Sequence, residues 1–297
     1  MRVLVTGSSG FVGQWMTRHL AEVGDEVLTV DDALDITNRD ALAKAVIAAA
    51  PDAICHLAAQ ASVSASWSDA GGTFAVNALG VVHLVDAAAA CPVRPRVLLI
   101  SSAEVYGRVA PADLPLHEDR AFAPASPYAA SKASAELVGL QAWLGVGLEV
   151  IRARPFNHTG AGQRPDFVVP SLARQVVEVR RHSLPALAAG NLDARRDILD
   201  VRDVVRAYRM LLEHGRPGAV YNVCGGESVA IREIAERLLR LEGLDVPINV
   251  DPARVRPVDL PDLRGSRELL SEATGWTPAI SLDQTLADVL ASWHAAP

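Results

Sequence analysis

Apolar runs short enough for strands alternate with stretches of helical period, most strictly in the first half of the chain. Arg2 to Thr6 is a β-rich run, broken by Gly7-Ser8-Ser9-Gly10-Phe11-Val12-Gly13, after which a helical pattern continues through Val23. Glu26 to Val30 reads as the next strand, residues 38–50 as an alanine-rich helix and Ala53 to Leu57 as a strand. Residues 72–90 predict one long helix and Arg96 to Ile100 a buried strand. A helix around Tyr128 and a strand from Leu148 to Arg154 complete the series. Strands separated by helices imply right-handed crossovers and a parallel sheet. From about residue 155 the alternation loosens. Helices are expected at 166–182, 202–213 and 230–241, strands near 195–200, 219–223 and 247–250, and two helices at the C-terminal end. The expected class is α/β: a doubly wound parallel sheet over 1–160 and a smaller C-terminal α/β lobe over 161–297. Some segments of the lobe are expected to return to the main sheet.

Composition narrows this. The 297 residues are half hydrophobic, enough for one large α/β unit or a main domain with a lobe. A formal net charge of −7 argues against a nucleic-acid partner. Cys55, Cys91 and Cys224 have no ligand-like spacing, and an odd, scattered set fits a reducing cytoplasm. The histidines offer no paired metal spacing, so no metal is assigned. Residues 1–30 lack a secretory pattern, and every apolar run is read as interrupted by Pro, Asp or His, so no membrane partner is expected.

The glycines at 7, 10 and 13 stand directly between a strand and a helix. The first allows a tight turn, the second a close approach of backbone to a pyrophosphate, the third close packing of helix on sheet. The helix start that follows, with Phe11 and Val12 in it, supplies unpaired N–H groups and a positive dipole end. This is a Rossmann-type dinucleotide cradle. Asp31 closes the second strand where a ribose-binding acid is expected, and Asp32 follows it. Two carboxylates there repel a 2′-phosphate, so NAD(H) is favoured, with NADP(H) the lesser choice.

A second chemical signal lies in Ser126-Pro127-Tyr128-Ala129-Ala130-Ser131-Lys132. Ser126 caps a helix and Pro127 suits its first turn. Residues four apart share a helix face, so Tyr128 and Lys132 stand one above the other. A phenol titrates near ~10, and an ammonium beside it is expected to lower that value toward working pH. Ser101-Ser102, at the end of the strand before, offers a hydroxyl to orient a substrate oxygen.

Together these motifs resemble the extended short-chain dehydrogenases/reductases of the NAD-dependent epimerase/dehydratase family, over essentially the whole chain. In that likeness Asp35-Ile36 resembles the adenine-side pair, and His56-Leu57-Ala58-Ala59 the strand end that passes the cofactor. Asn77 resembles the helix asparagine, and Ser102-Ala103-Glu104-Val105-Tyr106-Gly107 the serine loop. Arg154-Pro155-Phe156-Asn157-His158-Thr159-Gly160-Ala161-Gly162-Gln163 is similar to a stretch of GDP-6-deoxy-4-keto-mannose reductases. So are Gly190-Asn191-Leu192, Arg196-Asp197 and the run from Asp251 to Pro257. Two departures are a short loop after Val30 and Ala161 in place of a usual proline.

The resemblance implies hydride reduction of the 4-keto group of a GDP-4-keto-6-deoxy-hexose, with Ser102, Tyr128, Lys132 and Glu104 as catalytic residues. The cofactor would lie against Gly7 to Gly13, Asp31, Asp35, Ile36, Leu57, Ala58, Ala59, Asn77, Tyr128 and Lys132. The sugar nucleotide would meet Ser102, Glu104, Asn157, Val168 and Asn191. Arg196 and Arg256 are the chosen forks for its diphosphate, and Asp259 for ribose hydroxyls. A homodimer through the helices near 72–90 and 127–144 is what the family implies. Two alternatives stay open. One is 4,6-dehydration or 4-epimerisation of a nucleoside-diphosphate sugar, which Glu104 keeps in view. The other is a non-catalytic cofactor sensor, which the intact Ser102, Tyr128 and Lys132 argue against.

Overall fold

The computed structural model describes residues 1–30, 34–254 and 260–295. Six parallel strands form its main sheet: β1 (Arg2–Thr6), β2 (Glu26–Thr29), β3 (Ala53–His56), β4 (Arg96–Ile100), β5 (Val150–Pro155) and the strand Val220–Val223. Their order is β2-β1-β3-β4-β5 and then Val220–Val223. The helices in chain order are α1 (Phe11–Glu22), α2 (Arg39–Ala49), α3 (Val63–Ser68), α4 (Ala70–Phe74), α5 (Gly80–Ala89) and α6 (Pro127–Val146), then α7 (Val168–His182), α8 (Val201–His214), α9 (Ile231–Leu241), α10 (Glu268–Thr274) and α11 (Leu282–Ala295).

Strand residues alternate between the two faces, and both faces are covered. Val3, Val5, Cys55 and Leu98 pack with Met16 and Leu20 of α1 and with Val204, Tyr208 and Leu211 of α8. Leu4, Ile54, Val97 and Leu99 pack on the other face with α2, α5 and α6. Runs that are apolar at every position therefore make good central strands here. The chain order reverses at β1, with β2 on one side and β3 on the other, which opens a crevice at the carboxyl ends of β1 and β3.

The second half does not form a separate sheet of equal size. The Val220–Val223 strand joins β5, and Leu270 and Trp276 enter the main core. A second core is built by α7, α9 and α11 around Leu187 and Ala189. The expected strand near 195–200 is split into Arg195–Arg196 and Ile198–Asp200. The break is at buried Asp197, whose carboxylate accepts the N–H groups of Gly225 at 2.7 Å and Gly226 at 2.8 Å. The expected helix at 72–90 is a continuous rod from Ala70 to Ala89 with a π-helical turn, Ala75–Leu79, at its centre. That rod corrects the expectation about apolar runs. It is the one helix among the described residues long and apolar enough to cross a bilayer, because His83 and Asp86 do not interrupt it enough. Here it packs against α2 and α6.

Candidate active site

The glycine turn is held shut by close backbone contacts. Gly7 has φ +69°, and a Cβ on it would stand 2.7 Å from the Ala58 nitrogen. A Cβ on Gly13 would stand 2.0 Å from the Gly7 carbonyl oxygen. Only glycine lets α1 start so near β1 and lets the chain leaving β3 run so near both. No side chain caps α1, so Phe11, Val12 and Gly13 keep N–H groups for a ligand at the crevice. A dinucleotide pyrophosphate fits this cradle. Leu57 N–H donates to Thr6 O at 3.2 Å and Ala58 N–H to Thr6 Oγ1 at 3.3 Å, which fixes the Leu57-Ala58-Ala59 exit beside the turn. Trp15 of α1 donates its indole N–H to Ala161 O at 3.2 Å, which ties the turn to the 157–163 loop.

On the adenine side, Asp35 is engaged in a turn, with Oδ1 accepting Thr37 N–H at 2.8 Å. Those hydrogen bonds hold its carboxyl below the usual range. Ile36 is buried against Gly80. Asp31 and Asp32 lie outside the described residues.

α6 begins as its sequence implies: Ser126 Oγ accepts Ala129 N–H at 3.1 Å and Pro127 takes the first position. Tyr128 N–H donates to Ser66 Oγ at 3.1 Å, so α3 braces the same turn. The Ser102 hydroxyl lies near enough to the Tyr128 phenol to favour its ionised form. Ser102 Oγ also accepts Glu104 N–H at 3.2 Å, capping the short 3₁₀ turn Ala103–Tyr106. Ser102, Glu104 and Tyr128 therefore stand close together.

The tyrosine's ionisation runs opposite to expectation. It is pushed up to about 12, mainly by burial, with the Glu104 carboxylate adding to the rise and Ser102 opposing it. Lys132 does not pull it down. Its Nζ donates instead to Ile100 O at 2.9 Å, and burial brings the ammonium down to about 8. Four-residue spacing fixes the two side chains on one face but does not decide where a long, flexible lysine points. The phenol is thus protonated throughout the physiological range and is set to give a proton.

Asn77 is used differently from a simple cofactor contact. It is buried in the π-helical turn. Its Oδ1 accepts Gln60 N–H at 2.8 Å, and its Nδ2 donates to Gln60 O and Ser131 Oγ, each at 3.0 Å. It clamps the chain leaving β3 to the helix of Tyr128 and Lys132.

Sequence reading missed a buried network one turn beyond Lys132. Glu136 accepts from Arg154 Nη2 at 2.7 Å and from Arg152 Nη1 at 3.4 Å. Arg154 Nη1 donates to Tyr106 Oη at 2.9 Å, and Tyr106 donates to Asn222 Oδ1 at 2.7 Å. The network fastens the serine loop to β5, α6 and the Val220–Val223 strand. Its signal was present: a glutamate four residues past the lysine and two arginines inside an otherwise apolar strand.

The substrate-side residues lie in and around the lobe. Asn157 is exposed on a short strand paired with Ile198–Asp200, and Val168 opens α7, half-buried. Asn191 Oδ1 accepts Asp193 N–H at 3.1 Å. Arg196 is half-buried, and its Nη1 donates to Arg195 O at 2.8 Å and Leu260 O at 2.7 Å. Arg256 and Asp259 lie outside the described residues.

Known proteins bear on this geometry. A family model described as GDP-mannose 4,6 dehydratase matches residues 32–289. The GDP-6-deoxy-D-mannose reductase of Pseudomonas aeruginosa is 41% identical over an alignment that covers 99% of this chain and 97% of that protein. A solved structure of RMD from Pseudomonas aeruginosa complexed with NADPH aligns with TM-score 0.92 at 39% identity, over 99% of each chain. A Thermus thermophilus UDP-glucose 4-epimerase in complex with NAD aligns with TM-score 0.89 at 29% identity, over 100% of each.

Proposed function

The chain belongs to the GDP-mannose 4,6 dehydratase family, and from that premise we propose that it reduces the 4-keto group of a GDP-4-keto-6-deoxy-hexose. GDP-4-keto-6-deoxy-D-mannose is the substrate this reading names, and a GDP-6-deoxy-hexose such as GDP-D-rhamnose the product. It is an NAD(P)-dependent nucleotide-sugar oxidoreductase of the short-chain dehydrogenase/reductase superfamily. The observation that carries the reading is a protonated Tyr128 paired with Ser102 beside the glycine cradle, in a chain that matches a reductase end to end.

The cofactor, when bound, supplies a hydride to carbon 4 of the sugar. The chain's residues do the rest. Gly7, Gly10 and the first turn of α1 hold its pyrophosphate, and Leu57 to Ala59 line its path. Ser102 and Tyr128 hydrogen-bond the carbonyl oxygen. As charge builds on that oxygen, Tyr128 passes its phenolic proton to it; the Ser102 hydroxyl favours the phenolate left behind, while Lys132 holds positive charge in the same crevice from its place on Ile100 O. Arg196 and Arg256 take the diphosphate, and Asp259 ribose hydroxyls. NAD(H) is the favoured cofactor from Asp31 and Asp32, with NADP(H) admitted; the Pseudomonas structure carries NADPH.

Residues 1–160 serve the dinucleotide and 161–297 the sugar nucleotide in this reading. The molecule works as a cytoplasmic homodimer. Exposed Leu79, Leu137 and Leu144 on the π-helical turn and α6 support the dimer, and three free, buried cysteines fit the cytoplasm.

A second reading has one observation in its favour. Glu104 lies close enough to Tyr128 to raise the phenol, and such a carboxylate suits a 4,6-dehydratase that needs a further acid. A panel of GDP-, UDP- and dTDP-linked 4-keto sugars, with GDP-mannose added, each tested with NADH and with NADPH, separates the two. Net oxidation with the GDP-linked sugar is expected. A 4-keto product formed from GDP-mannose without net cofactor use would favour the dehydratase.

A further inference from the structure

Thr6, His56 and Ser101 stand side by side where β1, β3 and β4 end. Thr6 pairs with His56 in register, His56 pairs with Leu99, and Ser101 is the next residue on the Leu99 face. Alternation along a strand turns them toward α6. Thr6 Oγ1 accepts Ala58 N–H and lies 2.8 Å from His56 Nδ1; in the tautomer adopted for the proposal the Thr6 hydroxyl donates and Nδ1 accepts. The imidazole is neutral, because burial and the nearby Lys132 cation push it down to about 3. A neutral ring that accepts at Nδ1 carries its proton on Nε2.

That Nε2–H finds no partner among the described residues, and neither does Ser101 Oγ. Buried groups of this kind are costly to leave unpaired. Both line a small cavity that Lys132 also lines, with about 10 Å³ of room for the centre of a water molecule. That is the scale at which one water fits, given two to four polar partners. The other polar groups around the cavity are committed elsewhere. Asn77 is spent on Gln60 and Ser131, and Glu136 on Arg152 and Arg154.

We propose that His56 and Ser101 hold one water molecule against the Lys132 ammonium and so act as positioning residues for that lysine. The water accepts from His56 Nε2–H and from Lys132 Nζ–H and donates to Ser101 Oγ. Ile100 O takes a second lysine N–H at 2.9 Å, which leaves the third for the reacting site. Charged and titratable groups on α6 and on the elements packed against it are Tyr128 and Glu136 on α6, Glu104 and Tyr106 in the serine loop, Arg96 on β4, and Arg152 and Arg154 on β5, with His56 of β3 near the lysine. On α5, His83 and Asp86 are turned to Ile36 O and Arg39. Among these, the water supplies an acceptor to the cation where burial alone works against it.

The inference rests on the reading above in taking Lys132 as the working cation, and its test has one arm that does not. A crystal structure of the full chain, at a resolution that shows ordered water, should place one water within hydrogen-bond distance of His56 Nε2, Ser101 Oγ and Lys132 Nζ. A direct His56–Ser101 bond, or a dry cavity, overturns the proposal. The second arm is the pH dependence of kcat/KM. Ser101→Val fills the water's space with methyl groups, and its alkaline limb should move down by about half a unit to one unit. Ser101→Thr has the same volume, keeps the hydroxyl and should hold the parental limb. An unmoved limb in Ser101→Val, or an equal shift in both variants, contradicts the positioning role. A chain with the water in place but no reductase activity would remove the proposed function and leave the water site standing.

Discussion

Tyr128 and Arg196 stand for two regions built by different means. Around Tyr128 nearly every polar group is already engaged by the protein. Ser66 and Ser126 fix the first turn of α6, Ser102 meets the phenol, Ile100 O holds Lys132, and Asn77 clamps the helix to the chain leaving β3. Arg196 sits half-exposed on a sheet strand of two residues, anchored to the carbonyls of Arg195 and Leu260. A buried, pre-bonded site makes the same chemistry available to any keto sugar that reaches it. In the proposed reading, discrimination between sugar nucleotides then falls to the lobe.

The largest effect that would break this comparison is at Tyr128. Tyr128→Phe keeps the ring and removes the proton it gives, so turnover should fall by about 10²–10⁴ while NADH affinity stays nearly parental. Steady-state rates and cofactor titration check both halves. Near-parental turnover would mean that the pre-bonded region is not where the proton comes from.

Next is the brace beneath that region. Glu136→Gln leaves Arg152 and Arg154 buried without their carboxylate, which costs about 3–5 kcal/mol of stability. Denaturant unfolding should show the midpoint fall with little change in slope. A change under 1 kcal/mol would mean that the network is not under strain when one charge is removed, and the contrast with the lobe would weaken.

Arg196→Ala tests the other region. Loss of a charged hydrogen bond to the diphosphate should weaken GDP binding by about 1.5–3 kcal/mol, with unfolding little changed. Calorimetric titration with GDP measures it, and parental affinity would move the diphosphate site away from Arg196.

A smaller, graded effect comes from pH. Burial lowers Lys132 to about 8, so the cation is present below that pH and lost as pH rises through it. The kcat/KM profile, which reports the free protein, should be level on the neutral side and fall about tenfold per unit above the limb. A limb near the ordinary lysine value would show that the lysine is better solvated than the structure implies.

The two regions were also unequally legible. The glycine turn, the strand–helix alternation and the Tyr128–Lys132 pair are local in sequence, so spacing and propensity suffice to find them. What escaped was set by contacts between distant segments. The π-helical turn that buries Asn77 answers to Gln60 and Ser131. The break at Asp197 answers to Gly225 and Gly226. The direction of the Tyr128 shift could not be read from a lysine four residues on, because the acceptor that captured Lys132 is a carbonyl 32 positions away in sequence. In the lobe the difficulty was of another kind: an arginine on a short strand looks the same in sequence whether it awaits phosphate or water.

The central claim is that hydride from an external nicotinamide ends on carbon 4 of the sugar. Deuterated NADH or NADPH, incubated with the chain and GDP-4-keto-6-deoxy-D-mannose, should give a GDP-6-deoxy-hexose with deuterium at carbon 4, one label for each cofactor oxidised. Unlabelled product with the cofactor pool unchanged, as from an enzyme that returns hydride to the sugar that gave it, would contradict the account.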